Sequence, residues 1–229
     1  MKIWIIQHGE PPHHLEKKNK ILFRYSHLAK KLVSKNISVT FWTTTFWHQK
    51  KKYIFESDEE VLFNGYKIKY LHCGSYSNNH SISRIIHHRK FAKKIKLYFS
   101  ESEPPDLILA AHPIHNVAKE AILYAKSHNV KTLIDLRDFW PDTFQELFPK
   151  PLKKFSKFFF YRDYKTSKYI FKEAHALVGM MPEIISWAVN LSGRKHNDLN
   201  KVFYIGGQLS NNNNIKNSII DKNLLKNKL

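Results

Sequence analysis

From Met1 to about Gly206, short apolar runs alternate with amphipathic stretches of helical length, and that alternation leaves few folds open. It is the pattern of βαβ units, in which buried parallel strands are joined by helices that cover both faces of a sheet. The apolar runs predict strands at Ile3–Gln7, Ser38–Thr43, Lys67–His72, Leu107–Ala110, Thr132–Leu136, Ala176–Val178 and Val202–Ile205. The amphipathic stretches predict helices at Lys20–Lys35, Ile82–Phe99, Val117–His128, Lys153–Glu173 and Pro182–Leu191, the first with a stripe of Leu22, Leu28 and Leu32. Pro182 suits a first helical turn, and Pro11-Pro12 and Pro104-Pro105 mark loops. The expected fold class is therefore α/β: one doubly wound parallel sheet in a single domain spanning 1–207. After Gly206-Gly207 the patterning stops, and 208–229 reads as a polar, Asn-rich tail, either a disordered end or the remnant of a linker and hinge.

The 229 residues, 42% of them hydrophobic and 14% aromatic, are enough for a full core. Cys73 is the sole cysteine, which excludes an intrachain disulfide and a cysteine-rich zinc site and fits a reducing cytoplasm. The apolar start, Ile3–Ile6, is too short for a signal-peptide core or a membrane span. Against 19 Asp and Glu stand 38 Lys and Arg, a formal charge of +19 that points to an anionic partner. Nucleic acid, acidic lipid and a diphosphate-bearing substrate all answer to that charge. A compositional bias toward Lys, Asn and Ile is a further source of it.

Ligands of open doubly wound sheets bind beyond the carboxyl ends of the strands, so the residues just after each strand are the candidates. The first such loop is His8-Gly9-Glu10-Pro11-Pro12, where Gly9 either lets backbone approach a ligand or makes a plain turn. It has neither G-x-G-x-x-G nor a Walker A lysine, which argues against dinucleotide or ATP binding. In the second loop, Ala110-Ala111-His112-Pro113-Ile114-His115, His112 is either a donor to a sugar hydroxyl or phosphate, or a helix cap. A metal shared by His112 and His115 lacks further ligands nearby, so no metal and no cofactor are expected. The third loop, Asp135 to Asp142, offers Arg137 and Asp138 either to a substrate or to an internal ion pair of Arg137 with Asp138 or Asp142. A further feature is Leu152–Lys172, where aromatics interleave with lysines on more than one helical face. Phe158 and Phe159 with Lys154, Lys157 and Lys165 are candidates for an anionic membrane surface, the alternative being core on one side and a partner surface on the other.

Four stretches carry a resemblance to a known family: "MKIWIIQHGEPP", "RYSHLAKKLVSKNISVTFWTTTFWH", "PDLILAAHPIHNVAKEAILYAK" and "DLRDFWPDTF". Over about Met1–Gly207 the chain resembles the N-terminal domain of group-1 (family-4) retaining glycosyltransferases, particularly those of bacterial envelope polysaccharide synthesis. The resemblance implies a GT-B fold, two Rossmann-like domains facing across a cleft, of which this chain supplies the acceptor side and not the C-terminal domain. It implies that His112 contacts the transferred sugar as the catalytic candidate, and that Gly9, Glu10, Arg137 and Asp138 line the acceptor side or cleft. The loop lacks the family's Gly-Gly, having Glu10-Pro11-Pro12 instead.

The expected function is the acceptor-binding half of a glycosyltransferase that moves a sugar from a nucleotide-sugar to a lipid-linked or polysaccharide acceptor. Nucleotide-sugar would bind only with a complementary C-terminal domain, either supplied by a separately encoded half or lost by truncation, and the chain alone would be inactive. The expected location is the cytoplasm, peripheral to the inner membrane. The alternative is a basic, non-catalytic module for nucleic acid or an anionic membrane; with no recognition motif for nucleic acid in the sequence, that partner is not expected.

Overall fold

The computed structural model describes residues 1–15, 23–79, 81–143, 148–149 and 155–204. Its centre is an eight-stranded sheet. In chain order the strands are β1 (Lys2–Ile6), β2 (Ser38–Thr44), β5 (Glu59–Phe63), β6 (Tyr66–Leu71), β7 (Leu107–His112), β8 (Lys131–Leu136), β9 (Ala176–Gly179) and β10 (Lys201–Val202). A separate small hairpin pairs β3 (Phe46–Trp47) with β4 (Lys52–Tyr53). The spatial order is β10-β9-β8-β7-β1-β2-β6-β5, and every pairing but β5 with β6 is parallel. The winding reverses between β1 and β7, so the crevice of this sheet opens at their carboxyl ends.

The helices are α1 (Arg24–Val33), α2 (Ile82–Ser100), α3 (His115–Ser127), α4 (Ser156–Phe159), α5 (Tyr161–Glu173) and α6 (Pro182–Ser192). Alternation along β1 sends Ile3 and Ile5 to one core with Tyr25 and Ala29 of α1. It sends Trp4 and Ile6 to the other, with Phe91 and Ile95 of α2, Val117 and Ala121 of α3, Phe171 of α5 and Ile184 of α6. In that second core Trp4 packs edge-on to Trp42 at 5.4 Å and lies 4.4 Å from Phe99. Each such buried ring contributes on the order of 2–3 kcal/mol.

The expected α/β fold with one doubly wound sheet is present, and several details of it need correction. Strand β5 adds an antiparallel edge to the otherwise parallel sheet through the turn Asn64-Gly65, with φ values of 50° and 81°. An Asn-Gly pair with both residues left-handed is the two-residue hairpin signal, and Glu59 and Glu60 hid the strand it announces. The strand expected to end at Ala110 runs on to His112, since the pairing with β8 continues to Leu136. The long helix expected from Lys153 is broken at Phe160 into α4 and α5. Leu152, Lys153, Lys154, Lys20, Leu22, Ile205 and the tail 208–229 lie outside the described residues.

Pro182 does open α6, and Gly193 closes it in the left-handed conformation, φ 67°. Gly179 ends β9 where α6 comes closest: a Cβ there would sit 2.5 Å from Ile184 Cγ2 and 3.3 Å from Ile185 Cγ1. Both isoleucines are buried, so neither has room to move aside. Gly179→Ala is expected to lower stability by about 1–3 kcal/mol in urea unfolding, with Gly193→Asn costing less because asparagine tolerates that backbone.

Candidate functional site

At the carboxyl end of the sheet a network joins residues that lie far apart in the chain. Asp135, near the end of β8, has a side chain only 1% exposed. Arg24 Nη2 donates to its Oδ1 at 2.9 Å, and the Tyr25 hydroxyl donates to its Oδ2. Burial pushes the Asp135 carboxyl up and the nearby Arg24 charge opposes that; Tyr25 is held far above the usual phenol range, first by burial and then by the Asp135 charge. The Arg137 guanidinium lies 5.3 Å from the Tyr25 ring centroid. Two nitrogens of this network, Arg24 Nη1 and Arg137 Nη1, are buried with no partner among the described residues.

Glu10 holds the same region from the other side. The residue before α1, Phe23, has no side-chain cap to offer. The Glu10 carboxylate, 5% exposed, accepts instead from the backbone N–H of Tyr25 at 2.9 Å and of Ser26 at 3.3 Å, and lies 3.0 Å from His13 Nε2. Its negative charge sits where the first helical N–H groups lack partners and the helix dipole is positive. Glu10 and Arg137 thus meet at Tyr25, one at its backbone and one at its ring. Gly9 supplies no free backbone donor: its N–H is taken by Gln7 Oε1 and its carbonyl accepts from Gln49 Nε2 at 2.7 Å.

His112 and Asp138 are not part of this network. The His112 ring is fully buried, 3.2 Å from Ser167 Oγ and 4.9 Å from the Phe171 ring, and burial together with the His115 charge pulls it down to about 3. It presents no atom to the crevice, so the sugar contact implied by the resemblance has no surface here. Nor is it a cap, because Ile114 precedes α3 with no side-chain bond. Asp138 accepts from Thr143 Oγ1, and Asp142 accepts from the Tyr164 hydroxyl and, at 2.6 Å, from Trp187 Nε1. The expected Arg137 ion pair with either carboxylate is not among those of the described residues. His115 pairs with Asp163 at 2.9 Å rather than with His112, and no group of His, Cys, Asp or Glu among the described residues is arranged to hold a metal.

Arg24, Tyr25 and Asp135 were not singled out in the sequence. Arg24 and Tyr25 open the "RYSHLAKKL" stretch, a visible signal, but the link from Tyr25 to Asp135 spans 110 residues. In the aromatic segment Phe158 is 79% and Phe159 65% exposed, with Phe155 and Tyr161 exposed beside them, while Ile170 and Phe171 are core. Lys157 and Lys165 are also exposed. Among the described residues no helix is long and apolar enough to cross a membrane.

The fold has relatives among solved structures. A structure of LpCGTa in complex with UDP matches at 13% identity over 91% of this chain and 53% of that one, with a TM-score of 0.51. The fold described above corresponds to about half of that GT-B chain. Looser matches are Arabidopsis thaliana UGT89C1 complexed with UDP-L-rhamnose, at 13% identity over 91% of this chain and 52% of that one, TM-score 0.46, and Acinetobacter baumannii MurG, at 13% over 80% and 42%, TM-score 0.43. The chain spans about half the length of these proteins. No family profile matches it, and no curated protein does.

The buried histidine carries a stability consequence. An unfolded histidine titrates near its ordinary 6.5, whereas folded His112 takes a proton only near 3, so between those values the unfolded state binds more protons. Stability therefore rises with pH through this window and levels off above it. His112→Leu is expected to flatten the fall in urea stability between about pH 7.5 and about pH 5.5 by about 1 kcal/mol.

Proposed function

We propose that the chain is the acceptor-binding side of a glycosyltransferase related to the group-1, family-4 retaining enzymes of bacterial envelope polysaccharide synthesis. The supporting observation is the pair of unpartnered guanidinium nitrogens, Arg24 Nη1 and Arg137 Nη1, flanking the Tyr25–Asp135 hydrogen bond at the crevice end of a half-GT-B sheet. Two buried cationic donors without acceptors suit an anionic acceptor, such as a lipid-linked saccharide diphosphate. In this reading Arg24 and Arg137 bind, and Asp135 and Tyr25 position them. The domain spans 1–207, with 208–229 a linker or hinge.

Glycosyl transfer also needs the leaving diphosphate held in line with the acceptor hydroxyl, and positioning both reactants supplies much of the rate. That task falls to a complementary nucleotide-sugar-binding half. The 229-residue chain alone is expected to bind a lipid-diphosphate saccharide in calorimetry without transferring sugar to it. Arg24→Ala and Arg137→Ala should each weaken that binding about tenfold. Sustained turnover by the chain with no other polypeptide would overturn the half-enzyme reading, and unchanged affinity in both variants would overturn the site.

The exposed aromatics favour one addition. Phe155, Phe158, Phe159 and Tyr161 beside Lys157 and Lys165 suit an anionic bilayer surface, where rings enter the headgroup layer and lysines meet the charge. A groove of about 620 Å³ lined by Lys157, Tyr164, Glu183 and Trp187 adjoins them. Such docking would place the protein at the cytoplasmic face of the membrane beside a lipid-linked acceptor. Sedimentation with anionic vesicles should exceed that with neutral ones, weaken with added salt, and drop in a Phe158→Ser, Phe159→Ser variant.

A further inference from the structure

A second polar cluster lies on the α2 face of the sheet, away from α1 and Glu10. His8 follows β1, His87 and His88 sit in the second turn of α2, and His48 comes from the β3–β4 hairpin. His8 Nε2 lies 3.0 Å from His88 Nε2, and the His8 ring centroid is 5.9 Å from that of His87 and 6.4 Å from that of His48. Arg84 and Lys51 complete the rim, Lys51 Nζ lying 3.5 Å from His48 Nδ1. His8 and His87 are only 7% and 1% exposed, whereas His48, His88, Arg84 and Lys51 are half-buried and leave the cluster open to solvent.

Three nitrogens here are buried and without partners among the described residues: His8 Nδ1, His87 Nε2 and Arg84 Nε. Every titratable group acting on the four imidazoles is basic: Arg84 and Lys51, His72 beyond the hairpin, His115 at the start of α3, and the histidines themselves. The polar neighbours are neutral. Tyr76 Oη lies 2.6 Å from His48 Nδ1, and Asn79 takes Lys51 Nζ on its side-chain oxygen and Arg84 Nη1 on its carbonyl. Two fixed cations, with no carboxylate among the described residues acting on the cluster, repel a metal ion and attract an anion.

We propose that this cluster is a proton-coupled binding site for a phosphate-type oxyanion, free or at the end of a larger molecule. Hydrogen bonding dictates the coupling. The Gly74 carbonyl is 2.7 Å from His87 Nδ1, which therefore carries the proton and leaves Nε2 as a bare lone pair. A lone pair repels an oxyanion, so His87 donates to one only after Nε2 takes a proton from solvent. Burial and the surrounding positive charge hold His87 near 4 and His88 near 3 while the cluster is empty of negative charge. An incoming anion cancels that repulsion, and anion and proton then bind together, each strengthening the other.

Sulfate is the diagnostic probe, because it does not itself titrate near neutrality. In calorimetry at constant ionic strength, sulfate is expected to bind about tenfold more tightly at about pH 6 than at about pH 7.5. Heats measured in two buffers of different ionisation enthalpy should show proton uptake. Arg84→Gln and His88→Gln, both at half-buried positions and checked for unchanged circular dichroism, should lose about tenfold in affinity at the lower pH. Lys96→Gln, on an exposed part of α2, should lose none. Equal losses in all three variants, equal affinity at the two pH values, or binding without proton uptake would each overturn the proposal in favour of general attraction to a basic surface. Glucose 1-phosphate and inorganic phosphate separate the sources: tighter sugar phosphate supports the end of a larger ligand, and equal affinity supports the free ion.

Discussion

Strand β1 is hydrogen-bonded in parallel to β2 on one side and to β7 on the other, so its alternate side chains must face opposite layers. Ile3 and Ile5 anchor one core, and Trp4 and Ile6 anchor the other. Because the winding reverses beside this strand, whatever follows it emerges at the crevice. The same strand thus divides the hydrophobic interior and delivers His8, Gly9 and Glu10 to the functional end, with the two polar clusters on opposite sides of its exit.

The clusters solve the problem of buried charge in different ways. Asp135 is kept in place by an arginine and a tyrosine from α1, a fixed arrangement that ties the α1 layer to the middle of the sheet. The histidines around His8 avoid the cost by staying neutral, and so keep a capacity for charge in reserve. The first arrangement is held by hydrogen bonds from α1; the second keeps buried nitrogens without partners among the described residues.

The parallel strands were legible because each is a local apolar run between amphipathic segments, and Pro182 marks the start of α6 at its own position. Strand β5 was not, since Glu59 and Glu60 interrupt the apolar signal and only Asn64-Gly65 betrays the hairpin. The break at Phe160 was hidden for the opposite reason: aromatics on every face give no phase to follow. Among the residues of the proposed site, Arg137 is the one that its position after a strand makes legible. Its companions Arg24 and Tyr25 sit on a helix, and their relation to Asp135 exists only once the fold has brought the start of α1 within side-chain reach of β8. His112 shows the limit of reading a strand exit from hydrophobicity, because two extra residues of pairing carry it from the loop into the core.

The carboxylate of Glu10 has a consequence for any ligand that approaches the start of α1. Being attached to the chain, it competes at that spot at an effective concentration of on the order of millimolar or above. A dissolved anion at lower concentration would have to evict it and leave both the Tyr25 and Ser26 N–H groups to be satisfied anew. This end of the helix behaves as a receptor already occupied by a tethered ligand, a substitution in which the protein serves as its own inhibitor of the kind of anion binding that helix starts otherwise invite.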